Sequence, residues 1–309
     1  MSEPPTRRGA LEGAARDLEA AGVESARLEA ERLLAHVTGL ERAELLRRLD
    51  LPLPPGEAGA FARVLSRRLT GTPLQHIEGS VEFRELVLVC DARALVPRPE
   101  TEQLVDLVVR WQRERPPAGD PSPGVRPVPR PSSRPAALRA ALDIGTGSGA
   151  IALSLAAEDV AAAVVALDVS ADALSQAAEN RSRLGLEGRV ELRPCRSSIW
   201  DALRDDERFD AIVSNPPYVR DDEVPALRPE VRVHEPPEAL SGGEDGLDVI
   251  RTIVAGAADR LAPGGALFLE IAPGQGDEVR RLLRETGRFP RVEIRRDLAG
   301  RERFAVAGT

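Results

Sequence analysis

At 309 residues the chain is long enough for two domains of about 100–200 residues, and with 42% apolar residues each can have a core, which excludes collagen-like, coiled-coil and fully disordered classes. Its 42 basic residues against 50 acidic ones give a net charge of −8, and every basic residue is arginine. Without lysine there is no Schiff base, pyridoxal-phosphate attachment or P-loop lysine.

In chain order, Met1–Glu12 carries Arg7 and Arg8 with no apolar h-region behind them, and no stretch reaches the ~18 apolar residues of a membrane span. A cytoplasmic chain with no membrane partner is expected. From Leu11 to about Thr70 apolar residues recur at helical spacing (Leu18, Leu28, Leu33, Leu34, Leu45, Phe61, Leu65), broken by Gly22, Gly39 and the turn Leu51–Gly56, which predicts about four short amphipathic helices. Val81, Phe83, Leu86 and Leu88 switch to period two, a strand or hairpin. Pro97–Pro99 ends it, and Glu100–Arg110 is again helical.

Residues 112–140 are basic, at +4, and eight of the twenty residues Pro116–Pro135 are proline. Proline fixes φ and removes backbone donors, so 116–138 is expected to be an extended, mobile insertion. Beyond it the pattern becomes strand, glycine turn, helix. Apolar runs at Ala140–Ile144, Ala162–Leu167, Val190–Cys195, Ala211–Ser214 and Ala266–Ile271 alternate with helical stretches, with Val292–Ile294 and Arg303–Ala307 as short final strands. Such alternation predicts a doubly wound parallel α/β sheet. Cys90 and Cys195 fall in strand patterns and are expected in the core. With His36, His76 and His234 they form no C-x-x-C or H-E-x-x-H spacing, so neither a disulfide nor a metal site is expected.

Asp143-Ile144-Gly145-Thr146-Gly147-Ser148-Gly149 stands where the first of these strands hands over to a helix. Glycine allows the tight turn and lets a ligand approach the backbone. Asp168, 19 residues past Gly149 at the end of the second strand, is placed to accept hydrogen bonds from ribose hydroxyls. Together they mark a nucleoside-cofactor site. Gly145, Gly147 and Ala150 also satisfy the loosened G-x-G-x-x-A of dinucleotide enzymes, but the tighter G-x-G-x-G after an aspartate resembles S-adenosylmethionine (SAM) methyltransferases more.

Asn215-Pro216-Pro217-Tyr218 follows the fourth strand of the set, at the carboxyl edge where open α/β sheets bind ligands. Methyl transfer to a planar NH2 needs acceptors for both N–H groups, because the nitrogen lone pair is delocalised and charge develops as it attacks. The Asn215 side-chain carbonyl and the Pro216 backbone carbonyl can be that pair. Consecutive prolines hold them out of the helical region without a competing N–H, and Tyr218, the only tyrosine, offers a flat face for stacking. Asn215, Pro216 and Tyr218 are thus the catalytic candidates, and Asn215, Pro216, Pro217 and Tyr218 the substrate-binding ones. No general base is evident, and none is required, since the methylated nitrogen can lose its proton to water.

These two motifs resemble the amino-methyltransferases that act on adenine in DNA, guanine in RNA or glutamine in protein. The segment Val96-Pro97-Arg98-Pro99-Glu100-Thr101-Glu102-Gln103-Leu104, after Gly71-Thr72-Pro73-Leu74-Gln75 and Phe83, is more restrictive. It is similar to the peptide chain release factor glutamine methyltransferases, the HemK/PrmC family, as are Glu235-Pro236, Gly242-Gly243, Asp245-Gly246-Leu247 and Leu269-Glu270-Ile271. The resemblance implies a Rossmann-like SAM domain (101–309) behind a helical substrate-recognition domain (1–75) and a β-hairpin connector (76–100). It implies transfer of a methyl group from SAM, leaving S-adenosylhomocysteine, to the side-chain amide of the glutamine in the Gly-Gly-Gln tip of bacterial class I release factors. By motif match Gly145, Thr146, Gly147, Ser148, Gly149, Asp168, Asn215 and Trp200, the last against the adenine, would hold SAM.

The chain departs from the family pattern at Ile199, where an acidic residue is common, at His76 for tyrosine and at Ala272 for glycine. Arg98, Glu100 and Glu102 are read either as a brace or as substrate contacts. A ribosomal-protein glutamine or a nucleic-acid amine is the alternative substrate, and a cofactor-binding protein without activity a third reading. The intact Asn215–Tyr218 argues against the last. The acidic balance, 21 arginines against 30 acids over 141–309, disfavours any stable nucleic-acid partner. A monomer is expected.

Overall fold

Thr6 starts the first helix: its hydroxyl accepts the Gly9 N–H at 3.1 Å and so caps α1 (Arg7–Ala20). α2 (Ala26–Thr38) ends on Gly39 in the left-handed conformation. α3 (Arg42–Arg47), α4 (Pro55–Leu69, with proline in its first turn) and α5 (Leu74–Glu78) follow. Leu11, Leu18, Leu33, Leu34, Leu45 and Phe61 share one apolar core, as the helical spacing requires. The computed structural model describes residues 5–115, 138–195 and 198–309. The proline-rich insertion therefore lies outside the described residues, except Leu138, which already belongs to a strand.

The chain divides into two compact units. The first comprises the helices up to Val81 together with Cys90–Ala92 and Ala226–Glu235. Within it, buried Arg68 pairs with Glu29 at 2.5 Å and Glu230 at 3.0 Å. A buried guanidinium needs such partners, so this fork ties the 226–235 segment to α4.

The second unit holds the remaining described residues. β1 (Ser80–Phe83) and β2 (Leu86–Val89) form a two-stranded sheet around Arg84, whose φ is 54°. α6 (Pro99–Glu114) leads to β3 (Leu138–Ile144), α7 (Ala150–Ala157), β4 (Ala161–Asp168), α8 (Ala171–Arg183) and β5 (Val190–Pro194). β6 (Phe209–Ser214), α10 (Asp248–Arg260), β7 (Leu261–Glu270), α11 (Gly276–Glu285), β8 (Arg291–Arg296) and β9 (Glu302–Gly308) complete the order, while α9 (Pro229–Arg232, the helix carrying Glu230), between β6 and α10 in sequence, belongs to the first unit. The main sheet runs β5-β4-β3-β6-β7-β9-β8, parallel from β5 to β7. Its order reverses beside β3, the switch point at which α/β sheets bind ligands. Leu142, Ile212, Leu267, Leu269, Ile250 and Ile253 pack together on one face. Continuous apolar strands such as β6 reflect burial on both faces.

The sheet differs from a wholly parallel one at its last two strands. β9 pairs antiparallel with both β7 and β8. Only the turn at Asp297–Arg301 separates β8 from β9, too short for a crossover, so the chain returns as a hairpin. Among the described residues no helix is long and apolar enough to cross a membrane.

Candidate active site

Strand register brings the two motifs to one edge. Ile144 of β3 is level with Leu167 of β4 and with Ser214 of β6. Gly145, Asp168 and Asn215 therefore leave three adjacent parallel strands side by side at their carboxyl ends.

The glycine loop is fixed from beneath. The Leu167 carbonyl accepts both the Gly145 and Thr146 N–H groups at 2.9 Å, and the Ser148 carbonyl accepts from Asn180 Nδ2 at 3.0 Å. Gly145 has φ +71°, and nothing lies within 4 Å of where a Cβ would stand, which leaves its backbone open to a ligand. Gly149 is constrained instead: at φ +88° a Cβ would meet Leu153 Cδ1 at 2.8 Å. Gly149→Ala combines a left-handed backbone with overpacking and is expected to cost about 1–3 kcal/mol, measured by denaturant unfolding.

Asp168 is 8% exposed and anchors the loop as well as facing it. Its Oδ2 accepts the Gly147 N–H at 2.8 Å and its Oδ1 the Ser170 N–H at 2.9 Å. Each oxygen retains a lone pair, so the carboxylate can still receive hydroxyl donors. Burial pushes its carboxyl above the ordinary range. An open glycine backbone beside a pre-anchored carboxylate fits a cofactor carrying a ribose.

Asp143, at the end of β3, is wholly buried. Oδ2 accepts from the Thr146 hydroxyl at 2.7 Å and the Ala152 N–H at 3.1 Å, while Oδ1 has no hydrogen-bond partner. Burial pushes this carboxyl up to about 7. Because the folded state then holds a proton that the unfolded state has released, stability contributed by this group falls as pH rises from the ordinary carboxylate range towards 7. Asp143→Asn, which keeps an acceptor for Thr146 and Ala152, is expected to stabilise the ligand-free protein. The gain should be larger at pH 8 than at pH 5, reaching on the order of 2–4 kcal/mol. Urea titrations of both proteins at the two pH values measure it.

Asn215-Pro216-Pro217-Tyr218 is held by contacts remote in sequence. Asn215 Nδ2 donates to Thr101 Oγ1 at 3.1 Å, and the Thr101 hydroxyl donates to Glu270 Oε2 at 2.8 Å. The Tyr218 hydroxyl donates to Glu270 Oε1 at 3.3 Å. Arg303 stands 3.8 Å from that carboxylate, with its guanidinium 5.3 Å from the Tyr218 ring centroid. One face of the tyrosine, expected as a bare stacking platform, is therefore capped by Arg303. Burial and the Glu270 charge both raise the Tyr218 hydroxyl, which stays protonated. Glu270 is itself fully buried, and burial raises its carboxyl.

The backbone of the motif is clamped too. Val219 N–H donates to the Leu240 carbonyl at 3.0 Å, Gly242 N–H to the Val219 carbonyl at 2.8 Å, and Gln275 Nε2 to the Tyr218 carbonyl at 3.3 Å. A Cβ on Gly242 would come within 2.8 Å of the Pro217 carbonyl oxygen, which accounts for the glycine there.

Of the arginine and acids flagged around α6, Glu100 pairs with Arg301 at 3.2 Å, and the Glu102 backbone carbonyl accepts from Arg84 at 3.1 Å. Thr101 of the same segment reaches the site, and the Arg98 charge is near enough to act on the Tyr218 hydroxyl. Trp200 donates its indole N–H to the Thr252 carbonyl at 3.0 Å, and its ring lies against Gly256, so these contacts are made to α10 rather than to the loop. Thr101, Glu270, Arg303 and Gln275 were not among the site residues read from sequence. The signal for two of them was present, Thr101 inside Pro99-Glu100-Thr101-Glu102 and Glu270 as a lone acid in the apolar run Leu269-Glu270-Ile271.

Residues 9–79 match the PrmC N-terminal domain model and residues 132–228 the methyltransferase small domain model. The chain is 41% identical over 302 residues to a release factor glutamine methyltransferase of Moorella thermoacetica, covering 98% of each chain. It is 42% identical over 301 residues to one of Deinococcus radiodurans, covering 97% of each. The chain belongs to the release factor glutamine methyltransferase family. Among solved structures, a human methyltransferase 10 domain containing protein superposes with a TM-score of 0.51 at 17% identity, over 72% of this chain and 86% of that one. At that identity it bears on the fold alone, which is that of a Rossmann-like methyltransferase.

Proposed function

We propose that this family member uses SAM to methylate the side-chain amide nitrogen of the glutamine in the Gly-Gly-Gln tip of bacterial class I release factors, giving N(5)-methylglutamine. The observation that carries the proposal is the side-by-side exit of Gly145, Asp168 and Asn215 from adjacent strands, with the Asn215 NH2 already engaged by Thr101. Its Oδ1 is left to accept.

In this reading Gly145 to Gly149, Asp168 and Trp200 hold the cofactor, the acid taking the ribose hydroxyls and the indole the adenine side. When bound, SAM supplies a methyl group made electrophilic by its sulfonium. Asn215 Oδ1 and the Pro216 carbonyl each accept one N–H of the glutamine amide, which orients the nitrogen and stabilises the charge it gains on attack. The two prolines, the Thr101 contact to the Asn215 amide and the bonds that clamp the Tyr218–Val219 backbone keep those oxygens in place, so little reorganisation accompanies the reaction. No side chain need take the proton, because a methylated amide nitrogen bearing positive charge releases it to water. The helical unit, matching the family's N-terminal domain, supplies the surface that recognises the release factor, and the enzyme works as a cytoplasmic monomer.

Incubation of the purified enzyme with methyl-labelled SAM and, separately, a release factor, ribosomal proteins and nucleic acid tests this. Label is expected on the release factor, in the tip peptide, at one methyl per chain. Label confined to ribosomal protein or nucleic acid would overturn the substrate assignment.

A further inference from the structure

We infer that Thr101 is a positioning residue whose hydroxyl determines which way round the Asn215 amide stands. The inference rests on the reading of Asn215 as the acceptor for the substrate NH2. An asparagine amide has nearly the same shape when its oxygen and nitrogen are exchanged, yet only one orientation serves the reaction. With Oδ1 outward the side chain accepts the glutamine N–H. With Nδ2 outward it would set donor against donor.

The chain of hydrogen bonds behind Asn215 removes the ambiguity. Glu270 Oε2, 2.8 Å from Thr101 Oγ1, accepts the single hydroxyl hydrogen of Thr101. Thr101 then has only lone pairs to offer Asn215 at 3.1 Å, and the amide must present Nδ2 to it. Oδ1 is turned away from Thr101 as a consequence. Burial raises the Glu270 carboxyl, and the hydroxyls of Thr101 and Tyr218 together with the nearby Arg303 charge oppose that by favouring its ionised form. Thr101 lies in the first turn of α6, 114 residues from Asn215, and α6 is thereby coupled to the acceptor without itself touching substrate.

The test combines three variants in single-turnover assays on a release factor at saturating SAM. Thr101→Val, isosteric but unable to accept, is expected to slow methyl transfer about 5–30-fold, with the Kd for SAM unchanged. Thr101→Ser, which keeps the hydroxyl, is expected to stay within about threefold of the unmodified enzyme. In an Asn215→Ala background Thr101→Val is expected to cost nothing further, since its effect runs through that amide. If Thr101→Val does not fold, Thr101→Ala takes its place in both backgrounds. Equal loss in the serine and valine variants, or a full additional loss on top of Asn215→Ala, would reduce Thr101 to packing and overturn the inference. So would a Thr101→Val enzyme as fast as the parent while Asn215→Ala is slow. An Asn215→Ala enzyme of normal rate would instead overturn the underlying reading of Asn215.

Discussion

Asn215→Ala is expected to lower kcat for release-factor methylation by about 10²–10³-fold, the scale on which loss of one preorganised transition-state partner acts elsewhere. SAM affinity should change little, because the loop contacts around Gly147 and Asp168 do not involve the Asn215 side chain. The fold should survive as well. Asn215 is only part-buried and donates one hydrogen bond, to Thr101, whose hydroxyl keeps its bond to Glu270. The measurement is a pair, kcat from labelled methyl transfer and SAM binding by calorimetry, and the expected signature is a large loss in the first with the second preserved. A loss in both would mean that Asn215 also holds the cofactor, as the motif match implies.

Asp168→Ala should show the converse. The carboxylate loses its place in two ways, as acceptor for ribose hydroxyls and as anchor of the part-buried Gly147 and Ser170 N–H groups, which lose that partner. Charge-assisted hydrogen bonds contribute about 1.5–3 kcal/mol each, so the Kd for SAM is expected to rise at least about 10²-fold. At saturating SAM the remaining kcat should be reduced far less than in Asn215→Ala, because the paired acceptors are intact. Calorimetric titration with SAM and with S-adenosylhomocysteine checks the prediction, and both ligands should weaken together since they share the ribose. Undiminished affinity would detach Asp168 from the cofactor site.

Much of this site could be read along the chain because its two halves are local. The glycine loop, Asp168 and Asn215–Tyr218 each stand at a strand end, and the strand–helix alternation places strand ends on one edge whatever the details of packing. The support behind Asn215 could not be read that way. Thr101 and Glu270 are 169 residues apart, and they meet only because α6 packs on β7, so no spacing rule links them. What sequence did contain was an acid at Glu270 surrounded by apolar residues, a position that is stable only with polar partners supplied by tertiary structure.

The errors in element bounds have similar causes. β7 begins at Leu261 rather than Ala266 because Pro263-Gly264-Gly265 has turn composition, yet the strand continues through it. The four helices expected between Leu11 and Thr70 are α1 to α4, and the five-residue α5 that follows at Leu74–Glu78 is too short for a helical period to emerge. The antiparallel return of β9 depended on the short connection after β8, which composition alone does not distinguish from a further crossover. Arg303, at the start of β9, is carried over Tyr218 by that return.

A crystal structure of the enzyme with S-adenosylhomocysteine and a peptide carrying Gly-Gly-Gln would show whether the two oxygens grip the glutamine amide. The glutamine side-chain nitrogen should lie within about 3.2 Å of both Asn215 Oδ1 and the Pro216 carbonyl oxygen, facing the cofactor sulfur. A glutamine amide bound away from these two oxygens, or an Asn215 presenting its NH2 to the substrate, would contradict it.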